Sequence, residues 1–219
     1  MDRSIVISGY LYDISDNIIP FIENSDVYVH TWASKENDRW IKKLNRYKKY
    51  CNELYVTVDE NLIDEKIYSY FYSTWKAFNS IKHIDKYDLI IKLKPNLDTQ
   101  TIKYKGRVQD YFHKAQISNR PLLDDYTYRD CLYGSIYYKT LDERLFSGHP
   151  LAFRKIFHIL EEDLKVDMFR IHTKLKAKYG DDYEGSLFWK EWFDYFEVPI
   201  IQDTDLILPN NKRNQFEKY

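Results

Sequence analysis

Residues 87–98, YDLIIKLKPNLD, read as a short buried strand over 87–93 that runs out at Pro95 and hands the chain to Asn96 and Asp98. Proline has no N–H for a sheet ladder, so the strand stops where it does for a covalent reason. Three earlier runs have the same character: 4–8 (SIVIS), 26–31 (DVYVHT) and 53–58 (ELYVTV). Each is apolar, short, and bounded by Gly, Asn, Asp or Ser. Between them the periodicity changes to helical. Residues 16–24 (DNIIPFIEN) predict a short helix limited by Pro20. Residues 35–50 (KENDRWIKKLNRYKKY) bring Trp40, Leu44 and Tyr47 to one face. Residues 61–83 do the same with Ile63, Ile67, Tyr70, Phe71, Trp75 and Phe78. The order β-α-β-α-β-α-β implies a mostly parallel sheet with helices on both faces. Ligands of such sheets sit beyond the carboxyl ends of the strands, which groups Gly9–Tyr10, Thr31–Trp32 and Lys94–Asp98 around one crevice.

The second half is less regular. Residues 99–135 are polar, rich in tyrosine and without a clear period. Helical patterning returns at 150–164, with Pro150 suited to a first turn, and again at 166–179 and 185–196. The apolar segment 198–208 suits a return to the sheet edge. With no repeat, linker or low-complexity stretch, the expectation is a single α/β domain over 1–219, its central sheet mostly parallel but mixed.

Composition narrows the function. The chain has 219 residues, 44% hydrophobic and 17% aromatic, which is too apolar for a disordered segment. Its 33 basic and 34 acidic residues leave a formal charge of −1, against a partner held through its phosphate backbone; no nucleic acid is expected. The locally basic stretch 35–50 reads as the solvated side of an amphipathic helix, or else as a patch for an anionic partner. The 21 tyrosines suit cores, clefts and sugar-facing surfaces, and equally an A/T-rich coding sequence. Cys51 and Cys131 have no metal-ligand spacing, leaving either a disulfide or two thiols. No apolar run approaches 18 residues and the first residues, MDRSIVISGYLYD, lack a signal-peptide core, so no membrane insertion and a cytoplasmic location are expected. There is no G-x-G-x-x-G after the first strand, no Walker-A loop and no G-x-S-x-G elbow, against dinucleotide oxidoreductases, P-loop kinases and α/β-hydrolases.

Magnesium and manganese take oxygen ligands and are commonly completed by substrate phosphates. Asp98, with Asn96 beside it, fits that need; a polar turn closing a strand fits the same residues. Asp203 and Asp205 form a literal D-x-D, at a position where a turn between apolar stretches also calls for polar residues. His30, between Val29 and Thr31 on a strand, reads as a satisfied core residue.

The string at 87–98 resembles the D-x-D region of GT-A glycosyltransferases, and in particular the strand end "YD-apolar-R-x-R-P-D-L" of a group acting on viral and bacterial surface glycans, chlorella-virus capsid glycans included. Lys92 and Lys94 stand at the arginine positions and Asn96 at the first acid, so that Asp98 is left as the carboxylate for the metal. IVISGY at 5–10, DVYVHTW at 26–32, YSTWKAF at 72–78 and RLFSGHP at 144–150 resemble further segments of the group in the same order. The resemblance implies a nucleotide-binding half over 1–98 and an acceptor-facing half over 99–219. It implies a UDP-sugar donor, a glycan or glycoprotein acceptor, and Mn2+ or Mg2+ held by Asp98 and Asn96. Donor contacts would come from Ser8, Gly9, Tyr10, Thr31, Trp32, Ser73, Lys76, Lys94, Gly148 and His149. An inverting reaction needs a general base, for which Asp142, Glu143 and Glu184 are candidates; a retaining one does not. Two rivals are a non-catalytic nucleotide- or glycan-binding module and a metal-dependent nucleotide-sugar hydrolase.

Overall fold

The computed structural model describes residues 2–11, 14, 16–61, 63, 66–95, 129–137, 140–181 and 183–202. The four early strands form where the apolar runs lie: β1 (Arg3–Ser8), β2 (Asp26–Trp32), β3 (Glu53–Asp59) and β4 (Leu89–Leu93). Three more follow, β5 (Leu132–Tyr137), β6 (Thr140–Gly148) and β7 (Ile200–Gln202). They make a seven-stranded sheet in the order β3-β2-β1-β4-β6-β5-β7. β1 to β4 are mutually parallel, β6 runs antiparallel to β4 and to β5, and β7 closes the far edge parallel to β5. The mixed α/β sheet expected from the element order is present, and of the segment 198–208 the described residues Ile200–Gln202 form the edge strand.

Alternation along the strands divides the core in two. Val6, Trp32, Ile90 and Phe146 face one layer of helices, α3 (Lys66–Asn79), α4 (Pro150–Phe157), α5 (Glu161–Tyr179) and α6 (Gly185–Tyr195). Ile5, Ile7, Val27, Val29, Ile91 and Leu93 face the other, made by α1 (Ile19–Ile22) and α2 (Lys35–Asn45). The first layer is strongly aromatic, with Phe71 centred 4.6 Å from Trp189 and 4.5 Å from Trp192. On α2, Ser34 accepts the Asn37 N–H as N-cap, Leu44 is buried, and Arg39 and Lys42 are exposed: the basic stretch is the outer side of a packed helix.

Two helices differ from their sequence patterns. The segment 150–164 is two helices, not one. α4 ends at His158, Leu160 is extended, and the Ile159 carbonyl between them accepts from the Trp75 indole at 3.2 Å. α3 stops at Asn79, short of residue 83, because the Asn79 amide turns back to the carbonyls of Trp75 and Phe157. Among the described residues no helix is long and apolar enough to cross a membrane, and Cys51 and Cys131 are free thiols.

Candidate functional site

The chain leaves β1 toward β2 and β3 on one side and returns to β4 on the other, so strand order reverses between β1 and β4. Outside the carboxyl ends of such a pair the two connections diverge and leave a crevice. Its first wall is the turn at Gly9–Tyr10. Gly9 has φ +88°, and a Cβ there would stand 2.8 Å from Cδ2 of Tyr70 on α3. Only glycine allows both the left-handed backbone and that approach. The Gly9 N–H donates to Ser73 Oγ at 2.7 Å, and Ser8 Oγ shares a hydrogen bond with Thr74 Oγ1 at 2.7 Å. α3 thus fixes the turn from beneath. Tyr10 is half-buried, and its hydroxyl accepts from Asn61 at 3.2 Å just past β3.

His30 continues this network. Its Nδ1 lies 2.8 Å from Ser73 Oγ and its Nε2 3.1 Å from Asp59 Oδ2. Burial lowers the His30 pKa, with Asp59 pulling the other way. In the neutral ring Nε2–H donates to Asp59 and Nδ1 accepts the Ser73 proton. His30 is the satisfied core residue expected of it.

The second wall belongs to β4 and β6. Lys94 donates its backbone N–H to the Arg144 carbonyl at 2.8 Å, while its Nζ lies 3.6 Å from Glu143 Oε1 and 5.3 Å from the centre of the Tyr70 ring. Lys92, two residues earlier, is fully buried. Its ammonium donates to the Tyr70 hydroxyl and the Glu143 carbonyl and is surrounded by the rings of Tyr70, Phe146 and Trp189. A buried cation survives only when hydrogen-bonded, and aromatic faces add to its support. Tyr70 therefore joins the two walls: its ring touches Gly9 and its hydroxyl meets Lys92.

Several residues expected at the donor do not line this crevice. Gly148 and His149 lie at the opposite end of the sheet, since β6 runs antiparallel to β4 and Gly148 pairs with Ile90 while Leu145 pairs with Leu93. That is about 13 Å along the strands from the crevice. There Gly148 is required by Leu132 and the Cys131 carbonyl, and His149 caps α4 by accepting the Leu151 N–H at 3.1 Å. Burial pushes the His149 pKa down to about 4, with Arg129 acting in the same direction. Ser8 and Ser73 are fully buried, their hydroxyls engaged within the protein, so they support the turn and do not present themselves to a ligand. Thr31 is buried, and Trp32, 1% exposed, is stacked on Tyr72, so neither enters the crevice. Lys76 sits between Asp59 (3.6 Å) and Glu161 (3.9 Å), toward the end of β3. β3 and β4 are three strand spacings apart, about 14 Å, so Lys76 and Lys94 do not act at one point.

Among the three candidate bases, Glu184 is exposed and accepts from Ser186 in its own helix turn. Asp142 and Glu143 both lie on β6 at the crevice end, and it is Glu143 that meets Lys94. Asn96, Asp98, Asp203 and Asp205 lie outside the described residues. Among the described residues no group of three His, Cys, Asp or Glu side chains is arranged to hold a metal ion; Glu143 at the crevice pairs with Lys94, and Asp59 at the end of β3 with Lys76.

No family model and no curated protein sequence matches the chain. Solved structures do. The chain is similar to mouse xyloside xylosyltransferase 1 in its apo form, with 11% identity, a TM-score of 0.39, and 88% of this chain and 79% of that chain covered. It is also similar to a glycosyltransferase involved in the glycosylation of the major capsid of PBCV-1, with 10% identity, a TM-score of 0.38, and 92% and 81% covered.

Proposed function

We propose that the chain is a metal-dependent glycosyltransferase that moves a sugar from a UDP-sugar to a hydroxyl of a glycan acceptor, with the donor in the crevice between the ends of β1 and β4. The observation that carries this reading is the strand end at β4. Lys94 stands at the switch point of the sheet beside Tyr70 and the Gly9 turn, and in the sequence Pro95, Asn96 and Asp98 follow it closely. A glycine turn against a helix, a lysine, and an oxygen-bearing pair one and three residues beyond Pro95 suit a nucleoside diphosphate.

A divalent cation would be held by Asp98 and Asn96 and completed by donor phosphates. Bound there, it supplies Lewis-acid stabilisation of the departing diphosphate. Lys94 contributes a fixed positive charge at the same place, and the buried Lys92 keeps Tyr70 and β6 in position beneath it. Tyr10 offers its half-buried ring to the nucleoside.

The test is a thermal-shift screen of UDP, GDP and CMP with and without Mn2+. UDP with Mn2+ is expected to raise the Tm, and Asp98→Ala to abolish the rise. A shift that survives both EDTA and Asp98→Ala supports the non-catalytic binding module instead. Release of sugar phosphate from a UDP-sugar supports the hydrolase. Absence of a shift with any nucleoside diphosphate contradicts the proposal.

A further inference from the structure

Glu143 is the acid of the crevice whose partner a donor would need. Its carboxylate is 26% exposed and 3.6 Å from the Lys94 ammonium, itself 33% exposed. Both residues are anchored from behind. The Lys94 amide is bonded to the Arg144 carbonyl, and the Glu143 carbonyl accepts from the buried Lys92 ammonium and, at 3.5 Å, from the Tyr70 hydroxyl. With the backbones fixed, the side chains are the adjustable part of this wall. An ion pair between partly exposed groups is weak, on the order of 0.2–1 kcal/mol, whereas a diphosphate brings more charge and more acceptor oxygens to the same lysine.

We propose that Glu143 holds the place of a donor phosphate on Lys94, so that seating the donor and releasing the Glu143 carboxylate are one event. This rests on the nucleoside-diphosphate reading of the crevice given above. The diphosphate takes the Lys94 ammonium, and Glu143, still held by its main chain, becomes an unpaired carboxylate at the rim. Glu143 then receives the proton of the acceptor hydroxyl. The acceptor oxygen forms its bond to the anomeric carbon as the bond from that carbon to the β-phosphate oxygen breaks, its electron pair leaving with UDP. A carboxylate that is paired in the empty protein and free in the donor complex confines base catalysis to the state in which there is a donor to attack.

Calorimetric titration with UDP and Mn2+ tests this in the wild type, Glu143→Gln, Lys94→Gln and the double variant, after their Tm values have shown that all are folded. Glu143→Gln is expected to bind UDP about two- to five-fold more tightly, the removal of an exposed competitor for Lys94. Lys94→Gln is expected to bind more weakly, and in its background Glu143→Gln gives no gain. Any UDP-sugar that the wild type consumes in the presence of methyl glycosides is expected to be consumed by Glu143→Gln about 100-fold more slowly. Tighter binding with slower turnover is a pair of effects that a merely structural residue does not give. Unchanged or weaker UDP binding by Glu143→Gln overturns the proposal and leaves the donor site standing, and so does undiminished turnover. Failure of the wild type to bind UDP, GDP or CMP overturns both.

Discussion

A methyl group at Gly9 has nowhere to go. The backbone there is left-handed, and the Tyr70 ring closes the space a Cβ would take. Gly9→Ala is expected to destabilise the protein by about 1–3 kcal/mol in urea denaturation, and an unchanged midpoint would show that the turn is not clamped as described. The residue scale is also where sequence and structure differ most. A lysine in the middle of LIIKL, on the strand that the topology makes central, carries a signal: it has to be buried, and buried lysines need partners. Ser8, Ser73 and Thr31 carry no such signal. A small hydroxyl at a strand end serves a ligand or the neighbouring helix equally well, and the choice rests on whether α3 reaches it. At Ser8 α3 does, through Thr74, and its Ser73 meets the neighbouring Gly9.

Elements were legible wherever one period ran uninterrupted. The strands at 4–8, 26–31 and 53–58 and the helix at 185–196 lie within a residue or two of where the apolar runs indicated. Direction was not legible. A strand that enters a parallel sheet from the other side reverses which of its ends meets the crevice, and nothing in RLFSGHP states that β6 does so. His149 changes meaning as a result, from a donor contact to the N-cap of α4. It accepts a backbone N–H only while its ring is neutral, and its pKa of about 4 in the fold lies below the ordinary 6.5. A lowered pKa means that the unfolded chain takes up the proton first as pH falls. The contribution is therefore complete above pH 6.5 and is lost progressively between 6.5 and about 4. His149→Asn keeps a capping oxygen without this titration. Its Tm relative to wild type is expected to rise as pH falls through that window and to stay constant above it. A difference that is flat at all pH values would show that the cap does not titrate in this way.

At the scale of the whole molecule the sheet does two things. Its two buried faces supply the stability, and its strand-order reversal between β1 and β4 supplies a place where Tyr10, Lys94 and Glu143 are brought together from distant parts of the chain. The placing of Tyr10 and Lys94 at neighbouring strand ends was readable from the β-α-β alternation, because parallel strands with crossover helices set their carboxyl ends side by side. The partner of Lys94 was not, because β6 lies about fifty residues further on and its register with β4 is a tertiary matter. The most direct measurement is a crystal structure of the protein with UDP and Mn2+ bound. The account requires the diphosphate at the carboxyl ends of β1 and β4, within hydrogen-bond reach of Lys94 Nζ, with the cation on Asp98. A nucleotide bound at the other end of the sheet near Gly148 and His149, or a cation held without Asp98, would contradict it.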